Sequence, residues 1–334
     1  MEQNGEQKGF YKERIEKLKE RLTESFVFKN FENEILNKLE KDIPTEYREP
    51  FATFDRNIKS LVSVAKLPIE MAFERAIKFI YDDIKRKHQI LSLKDIINDD
   101  DKDIYAEDSE QHSREEKIIA IAAKEFNDLI KTTDGQDKFW FNSLAFVFSC
   151  AYESKTTSNF LNASKELINQ STLLTWSALE IFMRDFFILF LNKNPEKVEA
   201  LSKVPMLKQR FDLRNIGTDQ FLKYNFNLSG NMGDVLIENF DFSNIDLIKS
   251  IYDTLFGNAE LNKALKSISI WNLYQNRNLI VHKGGIVDQK YIGNTNTQLC
   301  AGEKLFIQPE EFQTYFASIV SVATALASVI DVLE

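Results

Sequence analysis

The sequence predicts an all-α protein. Glycine and proline, the residues that most often interrupt helices, number only 11 and 6 among 334 residues. Apolar residues recur at helical spacing in several long stretches that are separated by short segments. Long helices with short connections are typical of an antiparallel helical bundle. The 27 phenylalanines indicate a large buried core rather than a disordered chain.

Residues that favour helix ends bound each helical stretch. Residues 10–41 form an amphipathic stretch, and residues 54–66 and 68–91 are predicted as two helices, because Pro68 suits a first helical turn. Residues 286–308 are predicted to be irregular or extended. Further helices are predicted at residues 114–131, 158–192, 205–225 (one or two helices), 245–255, 259–283 and 309–333.

A chain of this length suggests two domains, because domains average roughly 150 residues. We place the boundary near residue 135, where the Asp134-Gly135 pair ends a predicted helix. This gives a helical N-terminal region, 1–135, and a C-terminal bundle, 136–334. Residues 98–113 are acidic and nearly free of apolar residues, so they are predicted as a solvated linker and are a rival boundary.

The net charge of −9 is not typical of a protein that binds nucleic acid over its whole surface. Residues 136–334 hold 18 Lys+Arg and 21 Asp+Glu, a net charge of −3, which leaves −6 for residues 1–135. Any contact with RNA must therefore use a local basic cleft.

The cysteines and the apolar stretches indicate in which cellular compartment the protein is found. Cys150 and Cys300 lie far apart without CxxC spacing, which indicates a reducing compartment and no metal site. The N-terminus is polar and charged, unlike a secretory signal. The apolar stretches 173–191 and 317–333 are interpreted as buried or interface helices, because charges interrupt the first and the second is short. We expect a cytoplasmic protein with no membrane span, metal or cofactor.

The segment WNLYQNRNLIVHKGGIVDQKYI, residues 271–292, holds the residues best suited to chemistry. Arg277 is followed directly by Asn278, and His282 lies five positions after the arginine. Histidine can give and take a proton near pH 7, and arginine matches a phosphate with a fork of donors. RNA supplies its own nucleophile, the 2′-OH, so in principle its cleavage needs no metal. The plainer alternative is that His282 caps a helix C-terminus, where the helix dipole favours a cation.

The string RNLIVHKGGIVD resembles the motif of the HEPN superfamily (higher eukaryotes and prokaryotes nucleotide-binding). Its members carry an arginine, four to six residues and then a histidine, often with asparagine directly after the arginine. The upstream segment WSALEIFMRDFF, residues 176–187, resembles the first core helix of these domains. The trailing Gly-Gly-x-Val-Asp with Tyr291 looks like the bacterial branch found near restriction and phage-defence genes. The resemblance covers about residues 140–334.

This resemblance implies a bundle of four or five helices that cleaves RNA without a metal, as a toxin or an anti-phage effector. It implies His282 as the general acid/base and Arg277 as the phosphate clamp. Such domains commonly form homodimers in which two motifs face one cleft. The chemistry agrees, because one histidine cannot easily serve as both base and acid in a single step. Some members only bind nucleotides or partners, so a non-catalytic module is the alternative.

Several residues could support the motif. Glu180 and Arg184 either form an i,i+4 ion pair with each other or place Glu180 where it orients Arg277 or His282. Asn278 either contacts the phosphate or holds the helix end.

Three further residues could contact RNA: Lys283 by charge, and Tyr274 and Tyr291 by stacking on bases. The spacing of Trp271 and Tyr274 is more typical of a core, and Lys283 more often is simply solvated. The N-terminal region is expected to sense a signal, restrain the site or dock a regulatory, sensor or antitoxin protein.

Overall fold

The computed structural model confirms the all-α class. The residues that it describes hold no strand, and the backbone pairing of Ile286 with Lys304 is an isolated bridge. The described ranges are 3–28, 43–97, 108–153, 157–238 and 242–331.

The chain divides into two compact units, each built from two segments. Unit 1 comprises Met1–Phe28 and Lys66–Ser164, and unit 2 comprises Lys29–Ala65 and Lys165–Glu334. The boundary predicted near residue 135 does not coincide with this division, because the residues on both sides of it belong to unit 1. The acidic linker predicted at 98–113 lies partly outside the described residues, and a helix covers its end from Asp108.

Unit 1 holds α1 (Gln3–Thr23), the larger part of α2 (Arg48–Ile97), α3 (Asp108–Lys131), α4 (Thr133–Tyr152) and the first residues of α5 (Thr157–Lys193). Helices α1 and α4 pack along each other. One buried apolar cluster of this unit draws on α1, the segment after it, α2 and α4: Ile15, Leu22, Phe26, Ile69, Ala72, Leu144, Val147 and Ala151.

Unit 2 is organised around the rest of α5, residues 165–193, whose buried side chains include Trp176, Phe182 and Phe186. The start of α2, residues 48–65, also belongs to this unit. The hydroxyl of Tyr252 is buried and donates a hydrogen bond to the carbonyl of Met183 at 2.5 Å. The other helices of this unit are α6 (Val198–Lys203), α7 (Pro205–Lys208), α8 (Thr218–Lys223), α9 (Met232–Ile237), α10 (Ile245–Phe256), α11 (Ala259–Leu265), α12 (Ile268–Lys283), α13 (Gln289–Thr295) and α14 (Pro309–Asp331).

Two predictions for the N-terminal half are wrong in part. The helices expected at 54–66 and 68–91 form the single helix α2, with Pro68 inside it. Buried apolar residues recur at helical spacing before and after this proline, so packing sustains the helix across the one lost hydrogen bond. The amphipathic helix expected at 10–41 ends at Thr23, and residues 29–42 lie outside the described part of the chain.

In unit 2, the helix predicted at 259–283 is two helices. The hydroxyl of Ser267 accepts a hydrogen bond from the amide of Ile270 and starts α12 as an N-cap, which interrupts the helical pattern after Leu265. Residues 205–225 hold two short helices, α7 and α8, and a 3-10 turn. The region 286–308, expected to be irregular, contains α13. The bounds predicted for α5 and α10 are confirmed to within one residue.

Helix α14 is the one helix in the described part of the chain that is long and apolar enough to cross a membrane. The apolar window covers Pro309–Ile330, and half of it is buried inside the structure. Buried residues such as Phe312, Ile319 and Leu326 pack in the interior of unit 2.

Gly233 marks a close approach between α9 and α5. A β-carbon at this position would lie 2.2 Å from the carbonyl oxygen of Ile188, and that atom is backbone and has little room to move. The amide of Gly233 donates to Asn192 Oδ1 at 2.8 Å, which holds the two helices at this distance.

We therefore expect Gly233→Ala to lower the free energy of unfolding by about 1–3 kcal/mol, the usual cost of overpacking a tight site. Chemical denaturation followed by circular dichroism measures this. Gly230→Ala is the matched control, because a β-carbon there meets nothing within 4 Å. Equal losses in both variants would contradict the close approach.

Candidate functional site

Helix α12 carries the Arg277–His282 motif and has well-defined ends. Ser267 caps its start, and Gly284, in the left-handed conformation with φ of 61°, ends it. The amide of Gly285 donates to the carbonyl of Leu279 at 3.1 Å, which closes the final turn. The motif therefore lies in the last two turns of a helix that is capped at both ends.

Arg277 and His282 are both accessible. Arg277 is half-buried, and its Nη1 donates to Oδ1 of Asn278 at 2.9 Å. His282 is exposed, and among the described residues it makes no hydrogen bond and no ion pair. Lys283 is also exposed. Because the rest of unit 2 does not engage the His282 ring, the ring is available to an external ligand, although its place in the last turn also suits a helix cap.

The spacing of the two residues constrains how one protomer can use them. At 3.6 residues per turn, five positions rotate a side chain by about 500°, so Arg277 and His282 leave the helix axis roughly 140° apart. A single α12 therefore presents them on widely separated sides of the helix rather than on one face.

Sequence reasoning missed a buried polar network beside Arg277. Asn276 is only 1% exposed. Its Nδ2 donates to the hydroxyl of Tyr315 at 2.8 Å and lies 3.3 Å from Oε1 of Glu311. The hydroxyl of Tyr291 donates to its Oδ1 at 2.6 Å, and Tyr315 hydrogen-bonds to Glu311. The network joins α12 to α13 and α14.

This network gives Tyr291 a structural role. The sequence predicted that Tyr291 stacks on an RNA base, but its ring is buried and its hydroxyl is engaged, so little of it is free to do so. Burial, together with the Glu311 carboxylate, raises the pKa of Tyr291 to about 12 and raises the pKa of Tyr315 well above its usual range. Both hydroxyls therefore stay protonated and remain donors at neutral pH.

Glu180 and Arg184 do not form the predicted i,i+4 ion pair. The indole nitrogen of Trp176 donates to Glu180 Oε2 at 2.8 Å, and Arg184 pairs with its neighbour Asp185 at 2.8 Å. The hydrogen bonds of Glu180 and Arg184 therefore reach neither Arg277 nor His282. Asp185 pairs with Arg184 because it is the next residue in sequence, and Glu180 instead accepts a hydrogen bond from the indole of Trp176.

Tyr274 belongs to an aromatic cluster between α5 and α12. Its ring centroid lies 5.1 Å from that of Trp176 and 5.9 Å from that of Trp271. Trp271 in turn donates to the carbonyl of Asn294 at 2.8 Å. This packing role is the one that the spacing favoured, and it leaves Lys283 as the exposed member of the three proposed RNA contacts.

Comparisons with protein-family models, with curated proteins and with solved structures give no match to this chain. The described residues contain no group of three or more His, Cys, Asp or Glu side chains placed to share a metal ion. The functional argument therefore rests on the motif and on the geometry of α12.

The network makes a prediction about stability and pH. Tyr291→Phe leaves the buried Asn276 Oδ1 without its donor and should cost about 1–3 kcal/mol at pH 7. Because its pKa is raised to about 12, the Tyr291 hydroxyl stays protonated in the folded protein at a pH where it ionises in the unfolded chain. The free energy of unfolding of the wild type should therefore fall as pH rises from about 10 to about 12.

Urea denaturation at pH 7, 10 and 11 measures both effects. Tyr291→Phe should show a shallower alkaline loss than the wild type. Tyr81→Phe is the control, because the Tyr81 hydroxyl makes no hydrogen bond among the described residues. An alkaline loss of the same steepness in Tyr291→Phe would contradict the role given to Tyr291.

Proposed function

We propose that this chain is a metal-independent endoribonuclease of the HEPN type, used as a toxin or an anti-phage effector. One observation carries the proposal. The Arg277-Asn278-x-x-x-His282 motif lies at a capped helix end, with His282 exposed and unengaged by the protein itself. The buried neighbour Asn276, not the motif residues, performs the structural role at this point of the helix.

The chemistry follows from the properties of the two side chains. A neutral histidine removes the proton from the 2′-OH of RNA, and the resulting alkoxide attacks the adjacent phosphorus. The bond to the 5′-oxygen breaks, and a protonated histidine supplies the proton that this oxygen takes up. The guanidinium of Arg277 stabilises the negative charge that develops on the phosphate oxygens. The products are a 2′,3′-cyclic phosphate and a 5′-hydroxyl.

A second copy of the chain completes this site in the proposal. Two histidines provide a separate base and acid, and the 140° spread of Arg277 and His282 favours pairing groups across a two-fold axis. Two apolar side chains close to His282 in sequence, Val281 at 51% and Ile286 at 44%, are exposed. Exposed apolar residues that flank a functional side chain are typical of an interaction surface.

The test compares purified wild type, Arg277→Ala and His282→Ala on end-labelled structured RNAs in EDTA. We expect wild-type cleavage that leaves 2′,3′-cyclic phosphate ends, and rates lowered by about 10²–10⁴-fold in each variant. His112→Ala is the matched control, because His112 is an exposed histidine in unit 1. Equal cleavage by all four proteins would refute the assignment. Binding without cleavage would favour the non-catalytic alternative, a nucleotide-binding or protein-interaction module.

The dimer has its own test. Val281→Glu should convert the protein to a monomer in analytical ultracentrifugation and abolish cleavage, because it places two charges at an apolar contact. Ile121→Glu is the control, since Ile121 is equally exposed at 50% but lies on α3 of unit 1. A Val281→Glu protein that remains dimeric and active would contradict the proposed interface.

A further inference from the structure

The segment that follows α13 returns to the end of α12, close to the motif. The amide of Leu305 donates to the carbonyl of Gly285 at 2.8 Å, and the backbone of Lys304 pairs with that of Ile286. Gly285 and Ile286 come three and four positions after His282. Lys304 is therefore held beside the exposed end of the motif helix.

Helix α5 holds this returning segment from the other side. Nδ2 of Asn169 donates to the carbonyl of Leu305 at 3.3 Å, and Oδ1 of Asn169 accepts from the amide of Ile307 at 3.1 Å. Asn169 is only 2% exposed, so these two hydrogen bonds lie in the interior of unit 2. Lys165 and Glu166 lie one turn earlier on α5, and they reach the same edge of this unit.

Burial alternates along residues 304–307, as in an extended chain. Leu305 is buried, so Lys304 and Phe306 point to the opposite, outer side. The carboxylate of Glu303, the residue before Lys304, accepts a hydrogen bond from the amide of Cys300 at 2.8 Å. The outer side of this segment therefore presents a lysine and an aromatic ring.

The Phe306 ring brings two ammonium groups together. Nζ of Lys165 lies 5.2 Å from the ring centre, and Nζ of Lys304 lies 5.4 Å from it. Glu166 forms an ion pair with Lys304, whereas Lys165 has no ion pair among the described residues. Two cations and one carboxylate leave one positive charge in excess at this ring. A bound anion would offset the repulsion between the two ammonium groups.

We propose that Lys165 and Lys304, the lysine site, bind the phosphate next to the scissile one in a strand of RNA, and that Glu166 competes with this phosphate for Lys304. The inference rests on the proposed function, because the strand is the substrate of the motif at His282. Lysine binds phosphate as a point charge and reads no base. The lysine site therefore favours a strand over a single nucleotide without selecting its sequence.

The experiment measures the affinity of the full chain carrying His282→Ala for a fluorescent 12-nucleotide U-rich RNA, by anisotropy in EDTA over a range of salt. Lys165→Gln, Lys304→Gln and Glu166→Gln are each added to this parent protein. The matched control is Lys263→Gln, which changes an exposed lysine on α11, the helix that precedes the opposite end of α12. Circular dichroism melting verifies that all proteins are folded.

We expect opposite effects from the two members of the ion pair. Each lysine variant should weaken binding about fivefold at about 0.1 M salt and lower the magnitude of the salt slope by about 0.7, the contribution of one phosphate on a single strand. Glu166→Gln should tighten binding about twofold or more, because it removes a competing carboxylate. An ion pair with only a structural role predicts the same effect from Lys304→Gln and Glu166→Gln.

Weaker binding by Glu166→Gln, or lysine variants that bind as the Lys263→Gln control does, would overturn the proposal. So would an absence of RNA binding by the parent protein at low salt. Competition by uridine monophosphate as effective, per molecule, as competition by the unlabelled RNA would indicate a site for a single nucleotide and would overturn the proposal as well.

Cleavage by protein with His282 intact separates the two proposals. We expect Lys165→Gln and Lys304→Gln to raise KM by the same factor as they weaken binding and to leave kcat unchanged, because the contact is equally strong before and in the transition state. Binding that depends on the two lysines, with no cleavage under any condition tested, would sustain the lysine site and refute the nuclease. Cleavage that depends on His282 but not on the lysines would sustain the nuclease and refute the lysine site.

Discussion

Asn276 forms hydrogen bonds inside unit 2 with Tyr291 and Tyr315, and through them α12 is tied to α13 and α14. A buried amide that has its donors and acceptors satisfied can hold a helix in only one rotation, because any other would leave these groups unpaired. That rotation determines which neighbours of Asn276 face solvent. Arg277 and His282 are therefore accessible because the residue before the motif is fixed in the interior.

The two asparagines that flank Arg277 have different roles, one structural and one at the accessible site. Asn276 is buried and structural, whereas Asn278 is half-exposed and accepts a hydrogen bond from the Arg277 guanidinium. This bond orients a cation that would otherwise sample many rotamers. The proposed chemistry uses an arginine held by its neighbour and a histidine left free, which is the arrangement expected of groups that engage an outside phosphate.

Helix ends and long apolar stretches could be predicted from the sequence, because local residues determine them. Gly284 after α12 is such a signal, and α12 ends where predicted, while α5 ends one residue beyond its predicted end. The helix boundary predicted at Pro68 was wrong, because tertiary packing keeps α2 continuous across this proline. The division into units could not be predicted either, because it depends on which segments pack together and not on the boundary between them in sequence.

The candidate site was partly predictable for the same reason. The spacing of Arg277 and His282 is visible in the sequence, but the burial of Tyr291 and Asn276 depends on what α13 and α14 bring to α12. Both Glu180 and Asp185 are close enough to Arg184 in sequence to pair with it, and helical spacing alone does not say that Asp185 is the partner.

The claim that RNA's own 2′-OH is the nucleophile is tested most directly on one oligonucleotide made in two forms. Once a cleavage site is mapped, the wild-type protein is given the RNA and the same strand with a single 2′-O-methyl group at that site, and the products are identified by mass spectrometry. The account predicts a 2′,3′-cyclic phosphate from the RNA and no cleavage at the methylated position. Cleavage of the methylated strand there, or 5′-phosphate ends from the RNA, would contradict it.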